Sequence, residues 1–292
     1  MTTSLKNHKT SSLSPGYRLR LFIERLIPHL ILIGYAIIVL FPILMILFNS
    51  FKSRKAIFGM PFQLPTPETF SLIGYETVIE RSNFHIYFMN SIIVTLVALA
   101  LTLLIGAMAA FALAEYSFPG NALLGLYLAI GIMIPIRLGT VGILNLMVSL
   151  KLVNTLTALI LVYIAQALPL TIFILSQFFR QVPKDLKDAA RIDGASEYRI
   201  FSLVLPLVRP ALGAIGIFTM IPIWNDLWFP LVISPSSKTA TVTLGVQQFL
   251  GQFVSDWNAV LSSLTLAMVP ILILYVLFSR QLIRSLTAGA IK

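Results

Sequence analysis

The chain has no cysteine, three histidines and few charged residues, 11% of 292 positions against 58% hydrophobic ones. Without cysteine there is no disulfide, no thiol nucleophile and no zinc–thiolate site. His8, His29 and His85 are dispersed along the chain, in a terminal stretch or beside apolar runs, so they form no metal-binding or acid–base cluster. No G-x-x-x-x-G-K-[ST] segment occurs, so the chain has no P-loop with which to bind ATP. No nucleophile–base pair is visible either. We therefore expect no catalytic residue, no metal and no cofactor, and a chain that is not itself an enzyme. Soluble domains carry about 25% charged residues. A mean hydropathy of +0.91 with so little charge belongs in a bilayer.

Apolar runs of about 20 residues are long enough to cross a membrane as helices. Six such runs fall at about 26–48, 86–113, 122–144, 155–178, 211–233 and 259–282. The expected fold is all-α and polytopic, with a tail over 1–25, a transmembrane region over 26–282 and a second tail over 283–292. The segment Ser12 to Gly16 reads as disordered, and the first apolar run is too long for a cleavable signal. Loops are expected at 49–85, with a short helix near 69–80, and at 234–257. Pro119-Gly120 marks a tight turn between the second and third spans.

The net charge of +10 is not a nucleic-acid signature, because the bases cluster beside apolar runs. The tails, the end of the last span with Arg280, and the polar loop over 179–210 fall on one side of a six-span chain and carry fourteen Lys and Arg. The opposite side carries six. The positive-inside rule then places that loop and both termini in the cytoplasm.

The loop reads PKDLKDAARIDGASEYRIFSLVLPLVRP from Pro183 to Pro210. Leu186, Ala189, Ala190 and Asp193 recur at spacings of three and four, so they share a helical face. Gly194 bends or ends that helix. A second short segment over 195–203 leads to Leu205-Pro206, where a new membrane helix begins. On the residues alone, this is either a docking elbow or an ordinary solvated loop.

Asp188-Ala189-Ala190, followed by Gly194 and by Leu205-Pro206, resembles the EAA loop of ABC-importer permease subunits, with aspartate in place of the family's glutamate. The resemblance implies that Leu186, Asp188, Ala189, Ala190, Arg191, Asp193, Gly194 and Pro206 couple to an ATPase subunit. It further implies a maltose-type carbohydrate importer of the bacterial inner membrane. Its partners would be a second, different permease subunit, two cytoplasmic ATPase subunits, an external solute-binding protein and the lipid bilayer, with no nucleic acid. The loop TATVTLGVQQFLGQFVSDWN is similar to the segment that reaches the binding protein in that family, which assigns this contact to Thr243, Gly245, Gln247, Gln248 and Phe249. The C-terminal LTAGAIK is similar to the family's ATPase-contacting tail.

Two ionisable groups lie inside apolar spans, where such groups are rare and usually functional. Arg137 is in the third span. Asp226 is in the fifth, within Trp224-Asn225-Asp226-Leu227-Trp228, which resembles the Trp-Asn-acid segment of sugar-importer permeases. Trp224, Asn225, Asp226 and Arg137 are candidates for a substrate pathway; an aromatic belt with an outward-snorkelling arginine is the other reading. Arg137 and Asp226 are expected either to approach each other, or to leave Arg137 facing a cavity that favours an anionic solute. Pro135, Pro169 and Pro222 each interrupt a span, as plain kinks or as parts of a moving pathway. The rival function is a self-sufficient, gradient-driven secondary transporter, which predicts midplane ionisable groups and inverted repeats. A membrane-embedded enzyme would need a clustered intramembrane constellation, and the sequence has none.

Overall fold

A computed structural model describes residues 15–80, 82–251 and 255–288. Among these, secondary structure is helical apart from one isolated bridge between Lys52 and Phe70. Five helices are long and apolar enough to cross a bilayer, six if a sharply bent pair is counted as one span.

Helix α1 runs Pro15–Ser50. It begins inside the stretch expected to be a tail, and at Pro15-Gly16 it replaces the expected disorder. Proline suits a first helical turn because its missing N–H has no intrahelical partner to lose. The apolar stretch of α1 is bare along its membrane length, so lipid or another protein must cover it. Its far end is packed against α13, Trp257–Ala288.

The first loop holds two short helices, α2, Arg54–Gly59, and α3, Ile73–Glu80; only the second was expected. Lys52 closes this loop. The residue is 1% exposed, and its ammonium donates to Asn49 Oδ1 at 3.1 Å and to the carbonyl of Met60 at 2.9 Å.

Helix α4, Phe84–Glu115, and α7, Leu156–Gln181, form the most extensive helix pair of the fold. Gly106 permits their approach, since a Cβ there would collide with the Thr171 side chain. Small residues at a membrane helix interface allow backbones to come close.

Between these two helices the third span is broken. Helix α5, Asn121–Met133, stops before Pro135. A 3-10 turn over Ile136–Gly139 follows, and α6, Thr140–Ser149, departs at 88°. The third span, expected over 122–144 and interrupted at Pro135, is thus two helices, the second reaching Ser149. Pro135 has no N–H to continue the ladder and pushes Ile134 into an extended conformation (ψ 118°). The fifth span breaks too. Helix α10, Arg209–Asn225, ends at Asp226, and α11, Trp228–Ile233, begins afresh. The linker at 150–155 meets α11 on this far face, where Asn154 N–H donates to the carbonyl of Ile233 at 2.9 Å.

The 234–257 segment, expected as a loop, contains a helix and is partly buried. Helix α12, Val242–Gln247, packs on α4 and α13. Val242 is fully buried, and Gly245 lies against the Tyr87 ring with no room for a Cβ. The last helix, α13, is described to Ala288, so the end of the LTAGAIK tail lies outside the described residues.

Candidate functional site

Two polar constellations stand at opposite ends of the bundle. The first is the elbow. Helix α8, Lys184–Ile192, is followed by a bend and by α9, Glu197–Val204. A 3-10 turn over Leu205–Val208 then carries the chain into α10.

The bend is a paired glycine cap. Gly194 sits at φ +74°, in left-handed space that glycine enters without a Cβ penalty. Its N–H donates to the carbonyl of Arg191 at 3.0 Å, and Ala195 N–H reaches back to that of Ala190 at 2.9 Å. These two bonds satisfy carbonyls that a helix end would leave orphaned. Ala190 and Ala195 both pack on the apolar cluster beneath, formed by Ala107, Ala110, Phe111, Leu175, Phe179, Ile200 and Val204.

Of the expected docking face, Leu186, Ala189 and Asp193 are exposed and Ala190 is half-buried. Two large apolar residues outside the three-and-four spacing are the barest of their kind on the elbow. Ile192 is 86% exposed and Tyr198 78%. Large apolar side chains that bare, on a polar projection, mark a surface awaiting a partner.

Beneath this face lies a charge network invisible in the sequence. Lys187, which reads as a solvated lysine, is buried against Glu115 at the last turn of α4. Arg191 uses all three guanidinium nitrogens: Nη2 to Glu115 at 2.7 Å, Nη1 to Asp188 at 2.9 Å and Nε to Glu197 at 3.1 Å. Tyr116 Oη donates to the other oxygen of Glu197 at 2.5 Å. Burial and the Glu197 carboxylate push the Tyr116 phenol up to about 12, so it stays a donor at physiological pH. The bonds to Glu197 and Glu115 raise the Arg191 guanidinium further above its ordinary value.

The second constellation spans the two breaks on the far face. Asp226, at the end of α10, accepts from the N–H of Trp228 at 3.3 Å and of Phe229 at 3.0 Å, so it caps α11. A carboxylate there is favoured by the N–H groups and dipole of the helix start. Tyr163 Oη on α7 donates to it at 2.9 Å, and Arg137 Nη2 lies 3.6 Å away. Trp228 Nε1 donates to Thr140 Oγ1 at 2.9 Å, a second link between the broken spans.

Arg137 lines an open cleft of about 650 Å³ with Gly131, Pro135, Ala165 and Gln166. Pro169, inside α7, has no N–H to donate to the carbonyl of Ala165 in this cleft wall.

The remaining candidates separate. Trp224 is 4% exposed, its indole N–H donating to the carbonyl of Ala267 at 3.1 Å, and with Asn225 and Thr243 it lines a separate pocket of about 300 Å³ rather than this cleft. The Asn225 amide turns back to the carbonyl of Ile221 at 3.0 Å. In the 243–249 segment, Thr243 donates to the carbonyl of Asp226 at 2.6 Å and Gly245 is enclosed. Gln247 and Gln248 are the exposed residues of that set, with Phe249 half-buried.

Comparison with known proteins places this geometry. Residues 102–288 match a family model described as "Binding-protein-dependent transport system inner membrane component". A diacetylchitobiose uptake system permease protein of Streptomyces coelicolor is 35% identical over 269 residues, covering 91% of this chain and 88% of its own. An arabinooligosaccharides transport system permease protein of Halalkalibacterium halodurans is 34% identical, with 90% and 96% covered. A trehalose/maltose transport system permease protein of Thermococcus litoralis is 32% identical, with 88% and 93% covered. Among solved structures, a bacterial ABC transporter involved in the import of the acidic polysaccharide alginate has a chain of the same fold. Its TM-score is 0.77 at 20% identity, with 91% of this chain and 98% of that one covered.

Proposed function

The chain belongs to the family of binding-protein-dependent transport system inner membrane components, and from that premise we propose that it carries a sugar or oligosaccharide inward as one half of a two-permease pathway. It is a multi-pass permease subunit of an ATP-driven importer, a transport component whose family works with ATPase subunits, a solute-binding protein and a second permease. The carbohydrate assignment is supported by relatives described as permeases for diacetylchitobiose, arabinooligosaccharides and trehalose/maltose.

The observation that carries the coupling role is the elbow: a projecting helix pair, capped at Gly194, with Ile192 and Tyr198 bare on its outer side. In our reading the elbow and both termini are cytoplasmic. Leu186, Asp188, Ala189, Asp193 and the bare apolar pair dock on one of two ATPase subunits, with Ala190, Arg191, Gly194 and Pro206 holding the elbow's shape. A different permease subunit completes the pathway. On the outer side, Gln247, Gln248 and Phe249 face the binding protein, and Arg137, Asp226 and Asn225 border the solute's route. ATP-driven closure of the ATPases moves the elbows, and the elbows rock the two permeases between inward- and outward-open states.

The test is uptake into proteoliposomes. The reading expects radiolabelled oligosaccharide to accumulate only when both permeases, the ATPases, ATP and the binding protein are present. Uptake by this chain alone, driven by an ion gradient, would favour a secondary transporter instead.

A further inference from the structure

The elbow is joined covalently only to α7 and α10. Helix α4 has no chain connection to it, yet α4 ends on it. Both oxygens of Glu115 are taken by elbow cations, Oε2 by Lys187 and Oε1 by Arg191 Nη2. The Glu115 side chain is 10% exposed and that of Lys187 5%, so both charges are largely withdrawn from water at the edge of an open cleft of about 820 Å³ that they help to line. The next residue, Tyr116, holds Glu197 at the start of α9, and Arg191 bridges Glu197 to Glu115. Glu115, Arg191, Glu197 and Tyr116 thus close a ring that spans the Gly194 bend and ties both elbow helices to one turn of α4.

We propose that Glu115 is a positioning residue for energy coupling: it makes α4 move with the elbow, so that the α4–α7 pair is driven as a unit. This rests on the coupling role of the elbow given above. Apolar packing of Phe111 on Phe179 and Phe201 also joins these elements, but it is non-directional and permits sliding. A buried ion pair has one geometry, and removing one partner leaves the other charge stranded. The ring therefore fixes register where packing alone fixes only proximity.

The absence of cysteine makes a direct test possible. In the complete transporter, reconstituted with its binding protein, Glu115→Gln is expected to keep binding-protein-stimulated ATP hydrolysis within about twofold and to lower solute imported per ATP at least fivefold. A merely structural role would lower both together. Glu115→Cys with Lys187→Cys, bridged by a short bifunctional methanethiosulfonate, should restore the transport-to-hydrolysis ratio, and reduction of the bridge should abolish it in the same sample. An equal ratio before and after reduction, whether high or low, overturns the proposal, as does an unchanged ratio in Glu115→Gln. If the wild-type assembly imports nothing with ATP, it is the importer reading that fails.

Discussion

Arg137 meets Asp226 at 3.6 Å across the broken ends of two spans. The two partners differ in surroundings: the arginine side chain is 68% exposed and the aspartate 9%. That asymmetry separates their roles. Asp226 is a fixed point, holding a helix start and the Tyr163 hydroxyl. Arg137 is free on its cleft side.

Asp226→Asn is expected to weaken four contacts at once. Hydrogen bonds to charged groups contribute about 1.5–3 kcal/mol each, more than neutral ones, so the melting temperature should drop by several degrees. Arg137→Gln should leave it within error and still reduce uptake. Melting curves and uptake on both variants check this, and a large loss of stability in Arg137→Gln would reverse the assignment.

Gly194→Ala places a side chain at φ +74°, where the left-handed conformation costs roughly 1–2 kcal/mol. Nothing lies within 4 Å of its Cβ, so the effect is confined to the bend. Gly194→Pro also removes the N–H that donates to Arg191. Membrane insertion should survive in both. Transport per ATP should fall slightly in the first and collapse in the second, as measured by paired hydrolysis and uptake assays.

Gly245→Ala drives a methyl into the Tyr87 ring, which is 2% exposed and has nowhere to go. Overpacking of this kind costs about 1–3 kcal/mol. The stability loss should shrink when Tyr87 is also reduced to Leu, a coupling that a double-mutant cycle reads directly.

Ile192→Glu touches only solvent in the isolated chain. Its stability should change by less than about 0.5 kcal/mol, while binding of the ATPase subunits should weaken about tenfold, or ~1.4 kcal/mol. Co-purification and titration of the ATPase subunits onto the variant provide the check.

Much of this was legible in the sequence because membrane helices advertise themselves through length and composition. The glycine bend and the proline-marked break at Pro135 follow from residues whose local physics leaves few options, and the Arg137–Asp226 approach was one of the alternatives that two ionisable groups in apolar spans left open. What escaped was long-range. Glu115 and Lys187 are 72 positions apart, and neither reads as anything but a solvated charge. Likewise 242–247 reads as loop among polar neighbours, and its burial as α12 depends on α4 and α13, which lie far from it or beyond it in the chain. The Trp224 indole bond to the carbonyl of Ala267 is also a contact between distant parts of the chain.

The central claim is that the bare side of the elbow sits on a motor subunit. In the cysteine-free chain, Ile192→Cys and, separately, Gln247→Cys give single attachment points for a photo-reactive cross-linker at opposite ends of the bundle. In the assembled transporter the account predicts that position 192 links to the ATPase subunit and position 247 to the solute-binding protein. Linkage of position 192 to the binding protein, or to lipid alone, would contradict it.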